Sequence, residues 1–259
     1  MDEATATRLR ALNQRFYETT AHGFEKTRHN SWPGWDTLLS VVPLPQAEPA
    51  AVGNSSPAGG PAALNDPALC VVTDLACGNW RFETFLERRF PQACFAFQTA
   101  DSARFEAWGT LRSPLDHKQL DLLGDAAWDF QPAHLVVCFG FMHHVPGQQA
   151  RLRLLRRMLA GVAPGGFAAL SFWRFLEDES LRAKTLPAAE AGFNPAALDP
   201  GDAFLGFDGS TQAIRYCHSF TDTDMAQLVE AVAPQARVAA RYRADGRTGT
   251  LNDYVVFAC

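Results

Sequence analysis

Residues 71–82 read VVTDLACGNWRF, and this stretch decides how the chain folds. An apolar run ends near Asp74, a turn containing Gly78 follows, and a helical pattern begins directly after it. A continuous apolar run is typical of a strand buried on both faces of a parallel sheet. Gly78 permits a backbone conformation, or a close approach of a ligand, that a β-carbon would obstruct. The stretch therefore predicts a strand, a turn and a helix, with a ligand at the turn.

Strand and helix patterns alternate from this stretch to the C-terminus. The other predicted strands cover residues 94–100, a short segment before residue 121, and residues 134–141, 166–173, 236–243 and 254–259. The predicted helices between them cover residues 82–89, 152–162 and 221–233. Such an order predicts an α/β fold with a doubly wound, Rossmann-like, mostly parallel sheet and an antiparallel last strand. Ligands of such sheets bind beyond the carboxyl ends of the strands.

Three segments differ in sequence texture. Residues 1–42 carry two helical patterns, the second opened by Pro33, and we expect this N-terminal helical segment to cover the site. Residues 43–67 are rich in Pro, Gly and Ala without periodicity, which predicts a flexible insertion. Residues 68–259 hold the strand and helix patterns and form the predicted ligand-binding domain.

The composition excludes several classes of protein. A net charge of −5 gives no electrostatic footprint for nucleic acid over the whole surface. No apolar run approaches membrane-spanning length, and the chain does not begin with a signal-peptide pattern. The six cysteines show no CxxC spacing, which favours free thiols in a reducing compartment. We therefore expect a soluble, cytoplasmic protein with no membrane partner.

Polar side chains and glycines follow the ends of the predicted parallel strands. The candidate binding residues are Asp74, Ala76, Gly78, Asn79, Asp101, Ser102, Asp121, Leu122, Phe139 and Gly140. Asp101 ends the second strand, where an acidic side chain can accept hydrogen bonds from both hydroxyls of a ribose. Taken singly, these residues also fit a purely structural role, since Asp101 and Ser102 can cap a helix and Leu122 can be core. Their order along the chain is the stronger evidence.

Two adjacent histidines, His143 and His144, follow the strand at residues 134–141. A metal site is not predicted, because adjacent side chains are expected to diverge and no Cys or carboxylate has ligand spacing. Either histidine is a candidate general base for a hydroxyl or amine substrate.

In combination, these motifs resemble the class I S-adenosylmethionine-dependent methyltransferases. VVTDLACGNWRF is similar to their first motif, ADS to their ribose-binding acid, LDLL to their adenine-side motif, and LVVCFGFMHHVPG to their fourth-strand signature. The resemblance covers residues 70–175 and implies a seven-stranded sheet. It also implies that S-adenosylmethionine lies across Asp74, Gly78, Asp101, Asp121 and Phe139. A dehydrogenase is less well supported, because the turn lacks GxGxxG.

Two residues depart from the first motif of that family. Ala76 and Trp80 stand where glycine is usual. The indole of Trp80 either turns away, into the core or toward the N-terminal segment, or lies over the methionine moiety. In the second case the chain would be a catalytically silent binding module. We expect the open pocket, because Asn79, Arg81 and Phe82 keep the rest of the pattern.

The flanking segments resemble the wobble-uridine tRNA methyltransferases, which esterify a carboxymethyl group on uridine. FYETTAHGFEKTRHNSWPGWDTLL near the N-terminus and IRYCHSFTDTDMAQLV near the C-terminus carry this likeness. It implies site roles for Arg28, Trp32, Arg215 and Tyr216. Because eukaryotic members act with a small zinc-binding activator, a small activator subunit is a possible partner.

A carboxylate acceptor is already a nucleophile at neutral pH and needs no base. It needs orientation and exclusion of water, and the planar fork of arginine holds a carboxylate in two hydrogen bonds. Arg28 and Arg215 are the candidates, with Tyr17, Trp32 and Tyr216 as walls. A small-molecule methyltransferase of the same fold is the alternative.

Two groups of arginines bear on RNA as a substrate. They are Arg153, Arg156 and Arg157 on one helix, and Arg237, Arg241, Arg243 and Arg247 near the C-terminus. Such clusters can track phosphates, although a solvated helix face and a charged hairpin are the default explanation. The acidic balance of the chain counts against RNA unless a basic partner subunit supplies the surface.

Overall fold

The computed structural model describes residues 1–25, 30–44, 69–103, 109–207 and 210–259. The helices are α1 (Glu3–Glu25), α2 (Pro33–Val41), α3 (Arg81–Arg89), α4 (Gln148–Ala160), α5 (Glu179–Arg182) and α6 (Asp222–Val232). The strands are β1 (Cys70–Leu75), β2 (Phe95–Asp101), β3 (Leu115–Gln119), β4 (Ala133–Cys138), β5 (Val162–Trp173), β6 (Thr185–Leu186), β7 (Asp202–Phe207), β8 (Ser210–His218), β9 (Arg237–Ala244) and β10 (Asn252–Ala258).

The main sheet has seven strands in the order β3-β2-β1-β4-β5-β10-β9. The pairs β1–β2, β1–β4, β2–β3 and β4–β5 are parallel, and β10 is antiparallel to both of its neighbours. The predicted fold class, including the antiparallel last strand, is confirmed. The parallel strands all end at one edge, which is where Asp101 lies.

Every residue of β1 is buried because helices cover both faces of the sheet. Val71 and Leu75 pack in the layer that contains α4 and α6. Cys70 and Val72 face the opposite layer, where Trp35 of α2 belongs to the same core cluster. This two-sided burial is the physical reason for the continuous apolar run in the sequence.

A second, three-stranded sheet of order β6-β7-β8 lies between β5 and α6 in the chain, and the sequence patterns did not predict it. Helix α1 packs on this sheet, with Leu9 in one core cluster with Phe204 and Tyr216. Asn13 fixes the contact, because its Oδ1 accepts the Tyr216 N–H at 2.7 Å and its Nδ2 donates to the Tyr216 carbonyl at 3.1 Å. The N-terminal helix is thereby held against an element about 200 residues later in the chain.

Helix α2 is attached to the far edge of the main sheet by a buried carboxylate. Asp245 accepts the Gly34 N–H at 2.9 Å and the Tyr254 hydroxyl at 2.6 Å. As predicted, Pro33 begins α2. The division at residues 43–67 remains a prediction, since residues 45–68 lie outside the described part. Among the described helices, none has the length and apolar character that a membrane crossing requires.

Candidate active site

A cavity of about 470 Å³ lies at the carboxyl ends of β1, β2 and β4, beneath α1. This volume falls in the range of small-molecule sites. The predicted binding residues that line it are Trp32, Asp74, Ala76, Gly78, Asn79, Asp101, Ser102, Asp121, Phe139 and Gly140. Leu122 is the exception, because its side chain is buried in the core beneath the cavity.

The turn after β1 is built from left-handed residues. Ala76, Gly78 and Trp80 have φ angles of 62°, 57° and 61°. Nothing lies within 4 Å of the position that a β-carbon on Gly78 would take, so the backbone there faces open space. A ligand can approach the backbone closely at such a position.

Asp101 is the acidic side chain best placed in the cavity. Its Oδ2 accepts the Gly78 N–H at 3.0 Å, and its Oδ1 accepts the Ala103 N–H at 3.0 Å. These two amides fix the plane of the carboxylate between the β1 turn and the β2 end. Burial raises the pKa of Asp101 to about 6. Each carboxylate oxygen still has a lone pair for a ligand hydroxyl.

Two further carboxyl groups, Asp74 and Glu83, are buried side by side behind the turn. Burial raises the pKa of Asp74 well above its usual range, and the neighbouring Glu83 raises it further. Burial also raises the pKa of Glu83 to about 7. The pair therefore retains a proton near neutral pH, and Asp74 presents an acidic group to the cavity.

Trp80 does not line the cavity. Its indole packs edge-on against His117 of β3, with ring centroids 5.7 Å apart. The side chain therefore turns away from the cavity, although toward β3 and not toward the core or the N-terminal segment. In the described structure the site is open.

The opposite wall is formed by α1, and the sequence patterns pointed only to Tyr17 there. The α1 residues that line the cavity are Arg10, Asn13, Gln14, Tyr17 and Glu18. They recur every three or four residues, so they share one helix face. A polar stripe at that spacing on a helix with buried Leu9 and Phe16 was the available signal.

Of the two histidines, only His144 lines the cavity. Its Nε2 lies 2.7 Å from the Tyr17 hydroxyl, and its Nδ1 lies 3.1 Å from the Tyr216 carbonyl oxygen. His143 instead packs between His144 and Trp173, with ring centroids 4.1 Å and 4.9 Å away. The structure thus separates a cavity residue from a packing residue.

The expectation that these adjacent side chains diverge was wrong. The short 3-10 helix Met142–His144 brings the rings together, and ligand atoms of His143, His144 and Cys217 lie within 4.8 Å of one another. However, both ring nitrogens of His144 already have hydrogen-bond partners. Burial raises the pKa of Cys217 to about 11, so its thiol is protonated at neutral pH. That the site binds no metal therefore remains a prediction.

Of the two arginines predicted to clamp a carboxylate, the structure describes only Arg215. Arg28 lies outside the described residues. The guanidinium of Arg215 lies over Phe16 at 5.3 Å and near Trp173 at 5.9 Å, and it does not line the cavity. The described residues alone therefore do not form the predicted clamp.

The prediction that the Tyr216 side chain forms a wall of the site needs correction. The ring is fully buried, and its hydroxyl donates to Asp202 at 2.7 Å and accepts from Arg151 at 3.1 Å. Its aromatic neighbours and the core of the second sheet hold it outside the cavity. What Tyr216 contributes to the site is its backbone carbonyl, which binds His144.

Several of the arginines considered for RNA are bound within the protein. Arg241 pairs with Asp253 at 2.7 Å, and Arg243 pairs with Glu177 at 2.6 Å. Arg157 donates to the Gly124 carbonyl at 2.7 Å. Arg156 lies 3.4 Å from the Ala231 carbonyl oxygen, and Arg153, Arg237 and Arg247 are exposed. The carboxylates of Asp253 and Glu177 neutralise part of the positive charge expected of a phosphate-tracking face.

Comparison with known proteins supports the fold. The DhpI–SAM–HEP complex is 12% identical, with a TM-score of 0.53, covering 96% of this chain and 97% of that chain. An S-adenosylmethionine-dependent methyltransferase from Methanosarcina mazei is 14% identical, with a TM-score of 0.51, covering 73% of this chain and 91% of that one. The PH0226 protein from Pyrococcus horikoshii is 13% identical, with a TM-score of 0.50, covering 73% and 81%.

No family model matches the chain, and no curated protein matches its sequence. At these identities the likeness shows the fold alone, which is that of the class I S-adenosylmethionine-dependent methyltransferases. The comparisons give no support to the narrower wobble-uridine family.

Proposed function

We propose that the chain is an S-adenosylmethionine-dependent methyltransferase that acts on a nucleophile bound beneath α1. The observation that carries the proposal is the Asp101 carboxylate, fixed by two backbone amides at the end of β2 and facing the cavity. An acid at this strand end, beside a left-handed glycine turn, is the arrangement that binds the ribose of an adenosyl group.

The described residues fit the proposed cofactor. Asp101 would hold the ribose hydroxyls, Asp74 would meet the ammonium group, and Asp121 would lie on the adenine side. The open space at Gly78 is where a β-carbon would otherwise crowd the cofactor. Trp32 lies against the position of a β-carbon on Gly140, at 3.0 Å, and closes the cavity on that side. The bound cofactor supplies a sulfonium methyl group, and the protein orients the acceptor for in-line attack and excludes water.

The acceptor site is the α1 wall with His144. Two classes of acceptor fit the sequence: a small molecule, or the carboxylate of a modified wobble uridine in tRNA. The tRNA hypothesis rests on Arg28 and Arg215, with a basic activator subunit to supply a phosphate-binding surface. The described residues favour the small molecule, because Tyr17 and His144 line the cavity whereas Arg215 does not.

Transfer of a labelled methyl group from S-adenosylmethionine tests the proposal. We expect label in a small-molecule extract in preference to bulk tRNA. Label found only in alkali-labile form in tRNA would establish the second hypothesis instead. If no acceptor is labelled and S-adenosylhomocysteine gives neither heat nor a thermal shift, the chain is a silent binding module.

Replacing Trp80 with glycine should leave the affinity for S-adenosylhomocysteine unchanged within about threefold, because the indole lies outside the cavity. The left-handed backbone costs a non-glycine residue about 1–2 kcal/mol, so relief of this strain offsets part of the packing lost against His117. Calorimetry on wild type and Trp80→Gly measures the affinity. A tenfold gain in the variant would show that the indole occupies the site in solution.

The affinity for S-adenosylhomocysteine should depend on the ionisation of Asp101. Ribose hydroxyls donate to the carboxylate, and the pKa of Asp101 is raised to about 6, so binding is full above that pH. Below it, protonation should lower the affinity by up to about tenfold per pH unit. Calorimetry from about pH 5 to pH 8 checks this. Because Glu83 also titrates near 7, the profile of Asp101→Asn is the control, and the difference between the two profiles isolates Asp101.

A further inference from the structure

We propose that Tyr17 and His144 form a proton relay, and that the methyl acceptor is a small molecule with a hydroxyl group. This inference rests on the proposed methyltransferase function. The two side chains line the wall opposite the β1 turn and meet at 2.7 Å between the Tyr17 hydroxyl and His144 Nε2. Tyr17 comes from the N-terminal helix and His144 from the loop after β4, so the pair exists only when α1 is docked.

The contacts of His144 Nδ1 indicate which nitrogen of this side chain carries the proton. Asn13 Oδ1 accepts the Tyr216 N–H at 2.7 Å, so its NH2 group points the other way. This NH2 group lies 3.1 Å from the Tyr216 carbonyl oxygen, and 3.4 Å from both the carbonyl oxygen and Nδ1 of His144. The Tyr216 carbonyl also lies 3.1 Å from His144 Nδ1, and a carbonyl can only accept. The other neighbours of Nδ1 are farther away, Asn13 Nδ2 at 3.4 Å and Cys217 Sγ at 3.8 Å. Because the acceptor-only carbonyl is the nearest partner of Nδ1, we infer that His144 carries its proton there and presents a lone pair at Nε2.

This tautomer fixes the direction of the Tyr17 hydroxyl. Its hydrogen is donated to His144 Nε2, and the phenol oxygen then offers lone pairs for hydrogen bonds. An acceptor molecule that binds Tyr17 must bring a hydrogen to donate. A carboxylate has no hydrogen to donate, and its oxygen lone pairs would repel those of the Tyr17 oxygen. A hydroxyl group brings the hydrogen that it must lose in order to attack.

The relay balances as a single displacement. The acceptor hydroxyl gives its proton to the Tyr17 oxygen while the Tyr17 proton passes to His144 Nε2. The acceptor oxygen bonds to the methyl carbon, the carbon–sulfur bond breaks, and its electron pair stays on sulfur. The positive charge that leaves the sulfonium ends on the imidazolium of His144, whose Nδ1–H still faces the Tyr216 carbonyl. Water then takes the extra proton.

An amine acceptor is less well matched to this arrangement. A neutral amine attacks through its own lone pair and loses its proton only afterwards, so it does not need a base before the transfer. A hydroxyl is a poor nucleophile until its proton is removed, and a positioned base contributes typically about 100-fold to 10,000-fold in rate. The Tyr17–His144 pair therefore indicates a hydroxyl acceptor, because a hydroxyl requires a base and a neutral amine does not.

Nitrogen NMR of the full chain, labelled at histidine and saturated with S-adenosylhomocysteine, tests the tautomer without any acceptor. We expect His144 with a protonated Nδ1 and an unprotonated, hydrogen-bonded Nε2. In Tyr17→Phe only the Nε2 resonance should move. A proton on Nε2 in the wild type would overturn the relay. Failure of S-adenosylhomocysteine to bind would instead overturn the methyltransferase function, so the two failures are distinguishable.

Methyl transfer tests the acceptor class. Label transferred to a small-molecule extract should survive mild alkali as an ether, and release of the label as methanol would show an ester and overturn the inference. Tyr17→Phe should lower the transfer rate about 100-fold at neutral pH, leave the S-adenosylhomocysteine affinity unchanged, and regain rate as pH rises and the acceptor ionises unaided. Tyr242→Phe, which loses a hydroxyl bound to the Gly34 carbonyl and does not line the cavity, is the matched control. A Tyr17→Phe rate equal to that of the control would overturn the relay.

Discussion

Asp101→Asn should lower the affinity for S-adenosylhomocysteine by at least about 100-fold, which is about 2.7 kcal/mol. The carboxylate is proposed to accept both ribose hydroxyls, and hydrogen bonds to a charged group are worth about 1.5–3 kcal/mol each. The substitution also removes one of the two hydrogen bonds that hold this side chain in place. Its two oxygens accept the Gly78 and Ala103 amides, and an asparagine has only one oxygen, so its NH2 group would face an N–H.

Calorimetry of wild type and variant measures this loss, with Asp116→Asn as the matched control. Asp116 lies on the neighbouring β3 and pairs with Lys118 at 3.5 Å. The control should bind like the wild type, and both variants should keep the circular dichroism spectrum of the native fold. If the affinity of Asp101→Asn stays within about threefold of wild type, Asp101 does not bind the ribose.

Asn13→Ala should lower methyl transfer by at least about 100-fold while the affinity for S-adenosylhomocysteine falls less than about tenfold. The buried amide of Asn13 bonds the Tyr216 N–H, the Tyr216 carbonyl and the His144 carbonyl. Its removal leaves buried backbone groups without partners, at about 1–3 kcal/mol each. Helix α1, which forms the acceptor wall, would then detach from the second sheet. Asp101 and Gly78 would keep their places, because they belong to the main sheet.

Limited proteolysis of α1 gives an independent readout of this release. We expect faster cleavage of the N-terminal helix in Asn13→Ala than in Arg15→Ala, an exposed control position on the same helix. Rapid cleavage together with native S-adenosylhomocysteine binding would establish that α1 is a separate acceptor wall. A fully active Asn13→Ala with unchanged cleavage would show that the docking contact is dispensable.

The sequence predicted the half of the site that lies on the main sheet. The apolar run of β1, the Gly78 turn and the acid at the end of β2 are local patterns, and the parallel order of the strands places them at one edge. Asp74, Gly78 and Asp101 line the cavity because the carboxyl ends of parallel strands meet at one edge of the sheet. Leu122 departs from the prediction because its side chain packs into the core while Asp121 faces the cavity.

The other half depends on contacts that no local pattern records. Asn13 contacts Tyr216, which lies 203 residues later in the chain. Tyr216 belongs to the second sheet, which is formed by strands in a segment without clear periodicity. The histidines lie together because a 3-10 turn replaces the extended chain. Tyr216 is buried because Asp202 and Arg151 satisfy its hydroxyl, and the sequence gives no sign of those partners.

A crystal structure of the chain with S-adenosylhomocysteine tests most directly whether the edge of the main sheet is an adenosyl site. We expect both ribose hydroxyls within hydrogen-bond distance of Asp101 and the thioether sulfur facing the Tyr17 wall. A ligand bound elsewhere, or the Trp80 indole in the cleft in its place, would show that this edge is not an adenosyl site.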